Sequence, residues 1–371
     1  MRIAIVHERF TIWGGAERVV EELHRVYPDA PIHAALVDRS ILSPGLRDAD
    51  IRTTPLQRLY RGDDRYAHLL PLLPIAFSRL DLRAVDLVVT SHYAFANRVR
   101  PPAGVPVVSY THTPARWLWD PAMRSGERGG RAASTALGAF AATQRRADRA
   151  AARRTRAIVA NSRNVVDRVR RWWEMPATVV PPPVDVDWYT PDGSVPREDF
   201  FLVAGRLVPY KKAMVAVTAA ERAGVRLVVA GDGRQLPEAR ARAGPGLEVL
   251  GRVDDVTLRD LYRRCRALVF PGVEDFGIVP VEAQACGAPV VARAAGGALE
   301  SVVDGVTGTL YHAPERGPAE VAALAGAMAR FDPTAFDPAS IRRHAEAFSP
   351  TRFRRDFVGA VEAALEERPV G

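Results

Sequence analysis

The chain has 371 residues, of which 47% are hydrophobic and 25% charged, and its formal net charge is +8. This composition excludes disordered and collagen-like chains, and the length favours two domains over a single core. The only cysteines, Cys265 and Cys286, are too few for a disulfide framework or a zinc cluster. We therefore expect a protein of the reducing cytoplasm.

The first apolar run, residues 3–6, predicts a buried strand and is too short for the core of a secretory signal peptide. No later run reaches the length that a membrane-spanning helix needs. Both observations agree with the expected cytoplasmic localisation.

The first half of the chain alternates short apolar runs with amphipathic stretches. Ala16, Val19 and Leu23 follow the first strand at helical spacing. Further strands are predicted at residues 87–90, 105–110 and 157–160. Strands that alternate with helices form parallel sheets with both faces covered, so we predict an α/β domain of the Rossmann type for residues 1–182.

A glycine pair, Gly14 and Gly15, stands between the first strand and the first helix. Glycines let a backbone approach a ligand closely, and N–H groups at the start of a helix bind anions. The pair is therefore a candidate ligand-binding loop, although a tight turn without a ligand explains it equally well.

His112 follows the strand predicted at residues 105–110, at the end of the strand where such sheets bind ligands. An imidazole can hydrogen-bond a hydroxyl group, so we predict His112 as a site residue. Arg116 and Trp117 come shortly after it and are candidates for binding an acceptor, although tryptophan also packs in cores. His92 is predicted to be structural.

Arginines are concentrated in residues 124–173, which contain few acidic residues. Such a patch attracts polyanions, namely nucleic acid, an anionic membrane or a phosphorylated substrate, but it can also reflect overall composition. The arginines are Arg124, Arg128, Arg131, Arg145, Arg146, Arg149, Arg153, Arg154, Arg156, Arg163, Arg168, Arg170 and Arg171.

Three prolines at residues 181–183 and a turn-rich stretch at 190–199 separate the two halves. Proline fixes a backbone angle and donates no hydrogen bond, which is typical of a linker between domains. We place the boundary after residue 182. Asp185 and Asp187 could hold Mn²⁺ near this boundary, but a loop without metal is the stronger interpretation.

The second domain, residues 183–349, repeats the alternation of strands and helices. Its strands are predicted at residues 200–204, 225–230, 247–250, 267–270 and 289–292. Arg206 and Lys211 lie in the loop after the first of these strands. A guanidinium and a mobile ammonium group at the carboxyl end of a parallel strand suit a diphosphate and can stabilise it as it leaves.

The most informative segment follows the fourth strand of this half. Glu274 lies in the loop, and Glu282 lies about one turn into the next helix. Carboxylates accept hydrogen bonds from hydroxyl groups, so one glutamate could hold a sugar and the other a ribose. The backbone N–H groups of Phe276, Gly277 and Ile278, near the helix start, could also contact the sugar.

Residues 200–310 resemble the donor-binding domain of glycosyltransferase family 4, the retaining enzymes of the GT-B fold. The matching motifs are Gly205-Arg206-Leu207 with Lys211, Ala230-Gly231-Asp232-Gly233, Gly251-Arg252-Val253, Glu274 to Glu282, and Asp304-Gly305-Val306-Thr307-Gly308. The first half resembles a subset of the family that transfers mannose from GDP-mannose during surface polysaccharide assembly. This second resemblance rests on Trp13-Gly14-Gly15-Ala16-Glu17 and on the run from Tyr110 to Asp120.

The resemblance implies two doubly wound Rossmann-like domains that face a central cleft, with a final helix at residues 350–367 packing back on the first domain. It implies that Arg206 and Lys211 bind the donor diphosphate, which Gly14 and Gly15 approach from the first domain.

The family also implies roles for the remaining candidates. Glu282 would hold the ribose, and Glu274 with the backbone of residues 276–278 would hold the sugar. Arg252 and Val253 would contact the base, and His112 would lie beside the donor sugar. Many members have glycine at the position of Lys212, so the conformation of that loop stays open.

We therefore predict a retaining hexosyltransferase that moves mannose from GDP-mannose onto a glycan or a polyprenyl-linked acceptor, without a metal or another cofactor. A UDP-sugar is the alternative donor. The arginine-rich segment would bring the enzyme to the inner, anionic face of the membrane.

Other classes of protein explain less of the sequence. A nucleic-acid-binding protein could use the arginine-rich segment with Trp172 and Trp173, but it would leave both glutamates without a role, so no nucleic-acid partner is predicted. A glycosidase could use paired carboxylates but has no need of Arg206 and Lys211. A dehydrogenase would need a Gly-x-Gly-x-x-Gly turn, and Leu236 stands where its last glycine would be.

Overall fold

The computed structural model describes residues 1–62, 66, 68–123, 130–314 and 317–366, with the side chains of 122 and 130–133 excepted. It divides into two compact units, Met1–Pro183 with Thr351–Gly371, and Val184–Pro350. The division falls one residue after the predicted boundary. Among the described residues, no helix is both long and apolar enough to cross a membrane.

The first unit contains a parallel sheet of seven strands within its described residues. The strands are β1 (Ile3–His7), β2 (Ile32–Ala34), β3 (Ile51–Thr53), β4 (Leu87–His92), β5 (Val107–Thr111), β6 (Ala157–Ala160) and β7 (Thr178–Val179). Their spatial order is β3-β2-β1-β4-β5-β6-β7, so the winding reverses between β1 and β4. In sheets of this kind, ligands bind at the carboxyl ends of the strands beside such a reversal.

Helices cover this sheet because their apolar residues recur at helical spacing. They are α1 (Gly15–Val26), α2 (Leu73–Ser78), α3 (Arg116–Trp119), α4 (Gly130–Ala152) and α5 (Arg163–Trp173). Val19, Val20 and Leu23 of α1 are fully buried and share one core with Ile5 of β1 and Val89 of β4. The predicted amphipathic helix therefore packs on the centre of the sheet.

The second unit repeats this architecture with six strands in its described part. The strands are β8 (Phe201–Ala204), β9 (Leu227–Ala230), β10 (Leu247–Gly251), β11 (Ala267–Phe270), β12 (Val290–Arg293) and β13 (Gly308–Tyr311). The helices are α6 (Ala213–Ala223), α7 (Leu236–Ala241), α8 (Asp255–Arg264), α9 (Ile278–Ala285), α10 (Ala298–Ser301), α11 (Pro318–Ala329) and α12 (Pro338–Glu346). The strand order is β10-β9-β8-β11-β12-β13, and the reversal lies between β8 and β11.

The final helix, α13 (Pro350–Glu366), belongs to the core of the first unit; residue 367 of the predicted helix lies outside the described residues. Phe353 and Phe357 pack edge-on against Tyr110 of β5, with ring centroids 5.4 and 6.1 Å away. Arg156 Nε donates a hydrogen bond of 2.8 Å to the carbonyl oxygen of Ala364. The chain thus returns to the first unit after completing the second.

Candidate active site

The two loops predicted to bind the donor follow β8 and β11, the neighbouring strands between which the winding of the second sheet reverses. Lys211 Nζ lies 2.8 Å from Glu274 Oε1, with both side chains largely buried. The ammonium group also lies 3.9 Å from where a β carbon on Gly205, at the end of β8, would stand. The structure therefore brings together two site residues that are distant in sequence.

Arg206 lies at the carboxyl end of β8, in the same loop as Lys211. Its side chain is exposed, and its Nη2 donates a hydrogen bond of 3.1 Å to the Tyr210 hydroxyl. Within the described residues, Arg206 forms no salt bridge with a carboxylate. It therefore offers an uncompensated positive charge in the loop that also carries Lys211.

Glycines let the loop after β9 support this basic loop. A β carbon on Gly231 would stand 1.8 Å from the carbonyl oxygen of Gly205, and one on Gly233 would stand 2.6 Å from that of Leu207. Leu207 N–H in turn donates to the carbonyl oxygen of Asp232 at 2.8 Å. Only residues without side chains allow backbones to approach so closely.

Lys212 adopts left-handed backbone angles, with φ at 58° and ψ at 34°. Glycine adopts these angles without steric cost, which accounts for the family preference. The Lys212 ammonium pairs with Glu320 of α11, which also pairs with Arg293 of β12 at 3.0 Å. The left-handed angles resolve the conformation that the sequence left open, and the nearly buried ion cluster holds the Lys212 side chain.

Replacing Lys212 separates these two effects. Lys212→Ala and Lys212→Gly both remove the ion pair and should destabilise the protein. Glycine accepts the left-handed backbone, so Lys212→Gly should be about 1 kcal/mol more stable than Lys212→Ala. Urea denaturation of both variants measures the difference. Glu174, whose φ is 59°, is the matched control for the backbone effect; equal stability of the two Lys212 variants would contradict our explanation.

Glu282 is almost fully buried on α9. Its Oε2 accepts a hydrogen bond of 3.0 Å from the Tyr262 hydroxyl of α8. Burial, and then the charge of Glu282, raise the pKa of Tyr262 well above its ordinary value, so the phenol remains a donor. The sequence did not single out Tyr262, because a tyrosine at helical spacing is typical of any core.

The remaining donor-site candidates lie around these groups. Phe276 packs its ring on Phe348, at 5.3 Å between centroids, so its side chain belongs to the core and only its backbone can contact a ligand. Gly277 caps α9 with φ at 98°, and Ile278 is the first residue of that helix. Arg252 is exposed after β10, and Val253 packs partly on the core.

In the first unit, the two glycines and His112 also lie at strand ends. Gly14 caps α1 in an extended conformation, and Gly15 is the first residue of that helix. His112 follows β5, and its Nε2 lies 2.9 Å from Ser91 Oγ. Burial, and then the neighbouring His7 and His92, lower the pKa of His112 to about 3, so its imidazole is neutral at physiological pH.

Trp117 is used for packing. Its ring stacks on Phe140, at 6.0 Å and 12°, and meets Phe95 edge-on at 5.8 Å. Trp117 therefore packs within the first unit, and acceptor binding by Arg116 and Trp117 stays a prediction. His92 is fully buried and accepts a hydrogen bond from the backbone N–H of Asn97 at 3.3 Å, in keeping with its predicted structural role.

Within the arginine-rich segment, Arg124, Arg128 and the side chain of Arg131 lie outside the described residues. Several other arginines bind groups of the first unit itself. These contacts are Arg145 to Leu118 O at 2.7 Å, Arg149 to Trp172 O at 3.0 Å, Arg156 to Ala364 O at 2.8 Å and Arg168 to Thr113 Oγ1 at 3.1 Å. Arg146, Arg153, Arg154, Arg163, Arg170 and Arg171 are exposed. The patch is thus smaller than the sequence indicates.

The tryptophans that a nucleic-acid site would use are also engaged. Trp173 is fully buried and donates to Asp148 Oδ2 at 2.7 Å, and Trp172 stacks on Trp119 at 6.2 Å. Stacking on bases needs exposed aromatic faces. The structure therefore gives the nucleic-acid interpretation no aromatic platform at these two residues.

Asp185 closes a turn. Its Oδ1 accepts a hydrogen bond of 3.0 Å from the backbone N–H of Trp188, and Asp187 is exposed. In the described part of the chain, no three His, Cys, Asp or Glu side chains cluster as ligands for a metal ion. The turn accounts for Asp185 without a metal.

Two family models match successive parts of the chain. Residues 13–188 match the family model described as Glycosyltransferase Family 4, and residues 191–328 match the one described as Glycosyl transferases group 1. The chain is 36% identical, over 219 residues, to a D-inositol 3-phosphate glycosyltransferase of Geodermatophilus obscurus. The aligned residues make up 51% of this chain and 48% of that protein. The chain thus spans about half the length of the curated relatives it matches.

Two solved structures share the fold. HepE of Anabaena, in complex with UDP, has a TM-score of 0.69 at 20% identity, over 98% of this chain and 100% of that chain. A sucrose-phosphate synthase from Thermosynechococcus elongatus has a TM-score of 0.73 at 17% identity, over 98% and 99%. These likenesses confirm the predicted fold class of two Rossmann-like domains.

Proposed function

We propose that this chain, which carries the domains of glycosyltransferase family 4 and of the group 1 glycosyl transferases, transfers a hexose from a nucleotide sugar to an acceptor hydroxyl group. The observation that carries the proposal is the pairing of Lys211 with Glu274 at 2.8 Å, in which Lys211 lies in the same loop as Arg206. We propose that Arg206 and Lys211, in the loop after β8, bind the phosphates and that Glu274, in the loop after β11, binds the sugar.

The chemistry needs this combination of charges. When the bond between sugar and diphosphate breaks, negative charge grows on the diphosphate and positive charge grows on the sugar ring. Arg206 and Lys211 stabilise the first charge, and Glu274, released from Lys211 by the incoming phosphates, stabilises the second. As the family resemblance implies, the anomeric configuration is retained.

Nucleoside diphosphates test the donor site directly. A ligand that binds only the folded protein raises its melting temperature, by an amount that grows with concentration over Kd. We expect GDP or UDP to raise the Tm, and the matching nucleotide sugar to be slowly hydrolysed. A variant carrying both Arg206→Ala and Lys211→Ala should lose the shift. If no nucleoside diphosphate shifts the Tm at millimolar concentration, the proposal fails.

The donor we propose first is GDP-mannose, because the motifs of the first half resemble the mannosyl-transferring subset. A UDP-sugar is the second candidate, which the UDP complex of HepE favours. We propose that Glu282 binds the ribose and that Arg252 and Val253 contact the base. The roles of Gly14 and Gly15 remain predictions. Comparing the shifts for GDP and UDP separates the two donors.

Catalysis is proposed to need no divalent metal, because Arg206 and Lys211 supply the positive charge that a metal ion would otherwise bring to the diphosphate. EDTA, Mg²⁺ and Mn²⁺ should therefore leave activity within about twofold of the untreated enzyme. Loss of activity in EDTA that Mn²⁺ restores would contradict this, and alanine variants of Asp185 and Asp187 would then test those carboxylates.

The acceptor is proposed to be a glycan or a polyprenyl-linked sugar presented at an anionic membrane. Exposed arginines near such a surface contribute roughly 1 kcal/mol each, and salt screens the attraction. The protein should float with anionic liposomes at low salt, and replacing Arg146, Arg170 and Arg171, three of the exposed arginines, by glutamine should weaken this binding. Arg222→Gln, at an exposed site of the second unit, is the control. Failure to float at low salt would refute membrane contact alone.

A further inference from the structure

A serine hydroxyl and a histidine imidazole connect His112 to the carboxylate of Glu17 on α1. His112 Nε2 lies 2.9 Å from Ser91 Oγ, and Ser91 Oγ lies 3.1 Å from His7 Nδ1. His7 Nε2 lies 3.4 Å from Glu17 Oε1. The sequence assigned no role to Ser91, His7 or Glu17. Their side chains nevertheless form a continuous hydrogen-bonded chain.

This hydrogen-bonded series of side chains crosses the point where the strand order of the first sheet reverses. His7 ends β1 and is the register partner of Ser91 in β4, while His112 directly follows β5. His7 and Ser91 are fully buried, and Glu17 is 7% exposed. Water has little access to these groups, so their hydrogen-bonding needs must be met by one another.

The carboxylate of Glu17 fixes which group donates and which accepts in each of these hydrogen bonds. A carboxylate only accepts, so His7 Nε2 must carry the proton that it donates to Glu17. With its one ring proton on Nε2, His7 offers Nδ1 as an acceptor to the Ser91 hydroxyl. Ser91 Oγ is left to accept from His112, whose ring proton therefore sits on Nε2. The Nδ1 of His112 keeps a lone pair.

We propose that Glu17, His7 and Ser91 are positioning residues that hold His112 in its Nε2-protonated tautomer, so that His112 Nδ1 accepts a hydrogen bond from a hydroxyl of the transferring sugar. The proposal rests on the function proposed above for the chain and on the position beside the donor sugar that the family resemblance implies for His112. A neutral imidazole can occupy either tautomer, and the direction of this chain selects one.

The tautomer can be measured without any donor. Long-range ¹H–¹⁵N correlation spectra distinguish the two neutral forms of histidine, and the His112→Asn variant assigns the signals. We expect an Nε2-protonated ring at His112. Ser91→Ala should give a mixture of tautomers. Ser109→Ala is the matched control, because Ser109 is equally buried, on β5, and binds Asn97 Oδ1 at 2.9 Å instead. An Nδ1-protonated His112 in the unaltered protein would overturn the proposal.

Kinetics give a second readout once the donor is known. Ser91→Ala and Glu17→Met should lower kcat about tenfold, roughly the cost of one lost hydrogen bond, with the affinity for nucleoside diphosphate unchanged. Glu17→Gln should keep most of the activity, because its amide oxygen still accepts from His7. An equal loss in Ser109→Ala would indicate a general packing effect and would overturn the positioning role.

His112→Ala separates failure of this inference from failure of the proposed function. If His112→Ala loses activity while Ser91→Ala keeps it, the hydrogen-bonded chain has no positioning role and the inference alone is wrong. If His112→Ala keeps full activity, the sugar contact itself is wrong, and the inference falls with it. The proposed function, which rests on Arg206, Lys211 and Glu274 of the second unit, would stand in both cases.

Discussion

Arg206→Ala is expected to lower kcat about a hundredfold or more, as removal of a group that stabilises developing charge does in other enzymes. The guanidinium opposes the charge that grows on the leaving diphosphate, while its described contact is a single hydrogen bond to Tyr210. Because the side chain is exposed, its truncation should hardly affect folding. Lys211→Ala should also lower kcat, for the same reason. Single-turnover measurements isolate the chemical step.

Arg222 provides the matched control, since it is an exposed arginine at the end of α6 and its loss changes the net charge equally. Arg222→Ala should turn over at the normal rate. If Arg206→Ala and Lys211→Ala do so as well, neither cation binds the diphosphate, and the assignment of the donor site fails.

Glu274→Gln is expected to lower kcat at least about tenfold while the affinity for nucleoside diphosphate stays normal or rises. A carboxylate stabilises the positive sugar ring of the transition state more than the ground state. Glu274 also pairs with Lys211, so its neutralisation leaves that ammonium group fully available to the phosphates. Calorimetry with GDP and UDP, beside steady-state kinetics, measures both effects.

Glu282→Gln is the comparison, and it should behave in the opposite way. Ribose contacts exist in both the ground state and the transition state, so their loss should raise KM and weaken nucleoside diphosphate binding. Tyr262→Phe, which removes only the hydrogen bond that orients Glu282, should produce a smaller change of the same kind. If Glu274→Gln weakened nucleotide binding and Glu282→Gln did not, the two roles would be reversed.

In the second unit, the sequence predicts which loops carry the candidate site residues, but it does not predict the contacts between those residues. The loops of Lys211 and Glu274 are each recognisable because they follow apolar strands. Their pairing depends on β8 and β11 being neighbours in the sheet, which no local spacing encodes. Tyr262 and Ser91 were missed for the same reason, since each acquires its role from a partner on another element.

The fold shows the same dependence on distant partners. The predicted strand at residues 267–270 agrees with β11, because four consecutive apolar residues are buried on both faces. Strands β2 and β3 were not predicted. They have three residues each, too few for a periodic pattern, and Arg52 and Thr53 of β3 are exposed. Pairing with β1 and with each other holds these strands in place.

The return of α13 to the first unit decides how the protein can be divided. Val184–Pro350 is one continuous stretch, so two cuts release the second unit as a single peptide. A fragment that stops at Pro183 would instead leave Tyr110 without the rings of Phe353 and Phe357 and would expose that apolar surface to water. A self-contained first unit therefore also needs residues 351–366, either joined to it through a linker or supplied as a separate peptide.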